Sequence, residues 1–137
     1  MLLRFTEFVN RPRTLWLALG TVLLLSLGFQ LTRPLVGGLL LDEVAESAAV
    51  LSMLSAMSFE QMAWHIAVTA GFDFLYPLAY VVLFAGLIIR GFGRYSPALL
   101  LPLVILFTAD LVENLSQIAL LAMSFLQLDD ASLAAMA

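Results

Sequence analysis

The chain has 137 residues, 63% of them hydrophobic and 12% charged, with a mean hydropathy of +1.05 and a net charge of −4. A soluble domain is about 45–50% apolar, so this chain cannot cover its surface in water and the bilayer must be its solvent. All six basic residues are arginine, and the acidic balance excludes a nucleic-acid partner. The lack of cysteine excludes disulfides, thiolate nucleophiles and cysteine metal sites.

The length allows one domain, residues 1–137. A helix needs about 20 apolar residues to cross a hydrocarbon core, and three stretches meet that need. The first runs over 14–32 without a charge. Ser26-Leu27-Gly28 has the small residues of a leader cleavage site, but the apolar run continues past it, so a retained first helix is expected. Gly37-Gly38 predicts a turn after this span. Residues 42–57 open with Asp42, Glu43 and Glu46, acids suited to a helix N-terminus, and predict a short amphipathic or peripheral helix. The second span covers 61–89, is interrupted by His65 and Asp73, and is introduced by the capping-box spacing Ser58-Phe-Glu-Gln61. The third covers 97–125, is interrupted by Asp110 and Glu113, and is introduced by Ser96-Pro97. The expected fold is an all-α integral membrane bundle of three transmembrane helices and one short helix.

Arginine placement gives an orientation. Arg4, Arg11 and Arg13 precede the first span, and Arg90 and Arg94 lie between the second and third. Positively charged loops stay cytoplasmic, so the N-terminus is expected inside. Asp42, Glu43, Glu46 and Glu60 are then outside, as is a C-terminal tail carrying Asp129 and Asp130. Trp16 falls at the inner interface and Trp64 at the outer one, as an aromatic belt requires.

Ionisable groups inside a span are costly and mark functional sites by default. From Arg90 back to Asp73, and from Ser96 forward to Glu113, is 17 residues, or about 26 Å of helix. Arg33 ends a first span of similar length, so Arg33, Asp73 and Glu113 are expected in one layer, as an arginine ringed by carboxylates. Asp110 is expected one turn deeper, near the level of Tyr76. His65, Thr69, Asp73, Tyr76 and Tyr80 share a sector of roughly 80° on the second span. Asp110, Glu113, Asn114 and Gln117 share roughly 100° on the third. Pro77 has no N–H for the Asp73 carbonyl, which is left free beside its own carboxylate.

Asp110 and Glu113 are helix neighbours about 5–6 Å apart, and two carboxylates so close rarely both ionise in a low dielectric. Three states are therefore open: a shared proton, an ion pair with Arg33, or a bound metal. A metal would draw oxygen ligands from Asp73, Asp110, Glu113 and Asn114, which favours a hard divalent cation such as Mg²⁺, Ca²⁺ or Mn²⁺. His65 lies about 12 Å along the axis from Asp73 and is expected near the outer mouth. The cluster Arg33, Asp73, Tyr76, Tyr80, Asp110, Glu113 and Asn114 also has a purely structural reading. Such side chains can serve only as interhelical hydrogen bonds, worth about 0.6–2 kcal/mol each. No haem motif, P-loop, dinucleotide fingerprint or serine–histidine–acid order is present.

The pattern Asp73-x-x-Tyr76-Pro77-x-x-Tyr80, followed by Asp110-x-x-Glu113-Asn114, resembles a group of small bacterial integral membrane proteins known only as uncharacterised. The leucine-rich first span and the acidic Leu41-Asp42-Glu43 stretch share the resemblance, which covers Leu15 to Leu121. It implies a bacterial inner-membrane bundle and this choice of site residues, and it carries no activity. The size and intramembrane acids also bring to mind four-helix sterol-isomerase-like domains, whose motif spacing this chain does not match. Three functions stay open. The first is a non-catalytic lipid- or ligand-binding bundle, or an accessory subunit of a larger membrane complex. The others are a carboxylate- or metal-dependent enzyme acting on a lipid, and a proton- or cation-coupled carrier working as a homo-oligomer.

Overall fold

A computed structural model describes the backbone of residues 2–44, 46–93 and 96–134, and the side chains of 4–44, 46–93 and 98–126. The chain is all-helical, with no strand among the described residues. We number its helices α1 (Leu2–Val9), α2 (Pro12–Thr32), α3 (Ser47–Ala56), α4 (Phe59–Phe92) and α5 (Ser96–Ala134). Three of them, α2, α4 and α5, are long and apolar enough to cross a membrane.

Local chemistry sets most of the boundaries. Pro12 occupies the first turn of α2, where its missing N–H costs nothing. Beyond α2 the chain turns through Gly37 and Gly38, at φ +93° and +102°, a region closed to most side chains. The capping box at the start of α4 is formed. The Gln61 N–H donates to Ser58 Oγ at 3.2 Å, and the Ser58 N–H donates to Gln61 Oε1 at 2.9 Å.

The structure departs from the sequence expectation at four places. Residues 2–9, which carry no span-length apolar run, form the additional helix α1. The short helix begins at Ser47, not residue 42; Asp42 and Glu43 lie in a preceding 3₁₀ turn, Leu41–Glu43. Within α4, Thr69–Asp73 winds as one π-helical turn. The backbone of α5 stays helical to Ala134, so positions 129 and 130 extend a helix instead of a tail. The side chains of Asp129 and Asp130, and residue Arg94, lie outside the described residues.

Helix α4 is the centre of the bundle, with α2 and α5 packed on either side and little contact between those two. Apolar clusters close the two ends. At one end Val9, Tyr80, Ala85 and Leu103 pack together. At the other, Leu41, Leu54, Met57, Met62 and Leu121 join α3 to α4 and α5. Large apolar side chains such as Trp16, Leu24, Leu31, Val104 and Leu115 face outward, as a bilayer solvent allows. Arg90 donates to the Asn10 carbonyl at 2.6 Å and to Asn10 Oδ1 at 3.0 Å. The N-terminal arginines and Arg90 therefore share one end of the molecule.

Candidate functional site: a polar cleft between α2 and α5

Because α2 and α5 lean on α4 without closing on each other, a cleft remains between the two apolar ends. Its volume is about 370 Å³. Ser26, Phe29 and Gln30 line it from α2 with Arg33 at its C-cap, and Asp42 and Glu43 line it from the 3₁₀ turn with Leu40 at its start. Asp73, Tyr76, Pro77 and Tyr80 line it from α4, and Asp110, Glu113 and Asn114 from α5. All seven residues of the sequence-derived cluster thus border one cavity.

Their pairings differ from the expected ring around Arg33. Arg33 Nη2 pairs with Glu43 Oε1, with both side chains about one-third exposed, and with neither Asp73 nor Glu113. The Gly37-Gly38 turn folds the 3₁₀ segment back over the end of α2, so a carboxylate ten residues away reaches the guanidinium first. Asp110 pairs with Tyr80 and not with Tyr76. Its Oδ2 accepts from the Tyr80 hydroxyl at 2.5 Å, while the Tyr76 hydroxyl accepts from Ser26 Oγ at 3.5 Å. Glu113 is exposed, and its Oε1 accepts from Gln117 Nε2 at 3.3 Å.

Asn114 is buried and donates through Nδ2 to the Asp73 carbonyl at 2.6 Å. That carbonyl is the one Pro77 cannot serve, and it belongs to the last residue of the π turn. A proline and a π turn in succession free main-chain groups in mid-helix. Asn114 answers from the facing helix and fixes α5 against α4 at the cleft floor.

Two expectations are corrected here. His65 is not at an outer mouth but fully buried, at 0% exposure. It lies beside the backbone of Val36 and Leu39, and neither ring nitrogen reaches hydrogen-bond geometry with a partner among the described residues. The turn after α2 covers it. The proposed metal ligands Asp73, Asp110 and Glu113 border the same cavity but do not converge: among the described residues no three acidic or histidine side chains are placed to hold one ion. Tyr80 and Gln117 hold two of the three carboxylates in separate directions.

The cleft is strongly acidic, with five carboxyl side chains on its lining against the single guanidinium of Arg33. At its edge, loss of solvent and the neighbouring Glu43 push the Asp42 carboxyl above the usual carboxylate range. The rings of Phe29, Tyr76 and Tyr80 stand in an edge-to-face row along the cleft, with centroids 5.8 and 6.0 Å apart.

Ser26, Phe29 and Gln30 of α2, and Asp42 and Glu43 of the 3₁₀ turn, line the cleft without belonging to the cluster expected from the sequence. Ser26, Gln30 and Arg33 are spaced four and three residues apart, so a polar stripe on α2 was there to be read. For Asp42 and Glu43 the only sign was the Gly37-Gly38 turn. Compared with known proteins, the chain matches no family model, no curated protein and no solved structure.

Proposed function

We propose that this protein is a non-catalytic, membrane-embedded binding bundle that takes the polar head of a ligand into the cleft between α2 and α5. The observation that carries this reading is the convergence of polar stripes from three spans on one cavity. Its volume of about 370 Å³ falls within the usual range of small-molecule sites. Gaps between helices of a bundle are a common place for such sites. Catalysis by a carboxylate pair finds less support, because Asp110 and Glu113 are each engaged by a neutral donor. The resemblance to small bacterial membrane proteins supports an inner-membrane location. The arginines gathered at the Asn10–Arg90 end support a cytoplasmic N-terminus and an external C-terminus.

A second reading, as an accessory subunit, draws on its own observation. Glu113 borders the cleft and also an outer groove formed by Val104, Ile105, Thr108, Ala109 and Val112. A carboxyl on the lipid-facing side of a span is expensive, and a partner helix would relieve it.

Native mass spectrometry of protein released from maltoside micelles tests the binding reading. Wild type should retain one amphiphile per chain, and a Ser26→Phe variant, whose ring fills the cleft, should lose it. Bare chains for both proteins would count against a binding function.

A further inference from the structure

We propose that the ligand's head is an organic cation, an alkylammonium group, carried on an aliphatic tail in the bilayer or free. This rests on the binding reading above and names the chemistry of the same cleft.

Charge comes first. Asp42, Glu43, Asp73, Asp110 and Glu113 line the cleft, and Arg33 is the only cationic side chain among its lining residues. The guanidinium is tied to Glu43, which leaves four carboxyl groups on the lining without a cationic partner there. An anionic or zwitterionic head entering phosphate-first would meet repulsion on most sides. A cation supplies what the lining lacks.

The type of cation follows from how the carboxylates are arranged. A hard metal ion needs several oxygens within about 2.0–2.6 Å of one point, and no three acidic or histidine side chains converge in that way among the described residues. The acids are dispersed over α4, α5 and the 3₁₀ turn. A large, weakly hydrated ammonium group carries its charge over several methyl or methylene surfaces. Dispersed carboxylates suit it better than a compact ion.

Aromatic rings are the third feature, independent of the acids. Phe29, Tyr76 and Tyr80 all line the cleft and stand edge-to-face in a row. Aromatic faces attract ammonium groups through their quadrupoles and recur in sites for quaternary ammonium ligands. Phe29, Leu40 and Pro77 add apolar wall between the polar groups, against which an alkyl chain can lie.

The test is a calorimetric titration of the full chain in dodecyl maltoside micelles at mildly alkaline pH. The probes are dodecyltrimethylammonium, the uncharged near-isostere dodecyldimethylamine oxide, the anion dodecyl phosphate, and choline as a head without a tail. The trimethylammonium probe should saturate at one per chain and bind at least about tenfold more tightly than the amine oxide, a difference of about 1.4 kcal/mol. Asp73→Asn, which removes a charge, and Tyr76→Leu, which removes a ring, should each weaken it by a similar factor. Choline binding within about tenfold of the amphiphile would identify a free cation as the ligand, and much weaker choline binding a lipid. Equal or tighter binding of the amine oxide or the phosphate would overturn the cationic assignment while leaving the binding reading intact. If no probe saturates and Ser26→Phe titrates as wild type does, the binding reading itself fails.

Discussion

Asn114 donates to the Asp73 carbonyl at 2.6 Å, completing from α5 the hydrogen bond that Pro77 withholds within α4. The contact joins two helices through a main-chain acceptor, so its strength depends on a side chain in one span and a proline in the other. Asn114→Leu should strand that carbonyl and cost about 1 kcal/mol, the usual scale for an interhelical hydrogen bond in a membrane protein. In a Pro77→Ala background residue 77 regains its N–H, and the same Asn114→Leu change should cost measurably less. Unfolding of the four proteins in mixed micelles checks this. Identical costs in both backgrounds would separate the asparagine from the proline.

Tyr80 and Asp110 form the second link between these helices. Tyr80→Phe removes the donor and leaves a partly buried carboxyl without its partner, which should cost about 1–3 kcal/mol. Adding Asp110→Leu should recover much of that loss, because the acceptor is then gone as well. Thermal melts of the single and double variants decide the point, and additive losses would contradict a direct bond.

Arg33 and Glu43 pair at the cleft rim, each about one-third exposed. Solvent screens such a pair, so a double-mutant cycle of Arg33→Gln with Glu43→Gln should give a coupling of at most about 1 kcal/mol. The corresponding cycle of Arg33→Gln with Asp73→Asn should give none beyond error. A larger coupling in the second cycle would restore Asp73 as the arginine's partner.

Asp42 gives a pH dependence with a definite sign. Its carboxyl titrates above the ordinary value of 3.8 in the folded protein, through partial desolvation and then the neighbouring Glu43. Below 3.8 the group is protonated whether folded or unfolded and adds no penalty. As pH rises past 3.8 the unfolded chain ionises more readily, and the folded state loses stability until its own carboxyl has ionised. Asp42→Asn should therefore be more stable than wild type at neutral pH and equal to it under acid conditions. Melting temperatures across this range check it, and a variant less stable at neutral pH would reverse the sign.

Gly86 allows a close approach of backbones. A Cβ there would be driven into the Val9 carbonyl and against Leu15, whereas a Cβ at Gly20 meets nothing within 4 Å. Gly86→Ala should cost about 1–3 kcal/mol by overpacking, and Gly20→Ala should be neutral or mildly stabilising. Equal melting temperatures for the two variants would show that α1 yields without cost.

Much of this architecture is legible in the residues. Uninterrupted apolar length locates α2, α4 and α5, Ser58 and Gln61 mark the α4 start, and Pro77 reveals the free carbonyl of Asp73. The helical period puts Asp73, Tyr76 and Tyr80 on one stripe and Asp110 and Asn114 on another, and all five line the cleft. The pairings are not legible in the same way, because they depend on where the loop after α2 returns. One glycine pair sends Glu43 back to Arg33 and buries His65, and no periodicity within a helix encodes that path. The π turn at Thr69–Asp73 is not read from the apolar period either, which runs through it unbroken.

A binding cleft must be a polar, accessible space inside the bilayer, and the chain's lack of cysteine makes that directly measurable. A Ser26→Cys variant in vesicles should react with the trimethylammonium-ethyl methanethiosulfonate, and faster than with its sulfonate counterpart. A Leu83→Cys control, packed against α2, should stay inert to both. If Ser26→Cys reacts no faster than Leu83→Cys, the cleft is closed to water and ligand, and the central claim is wrong.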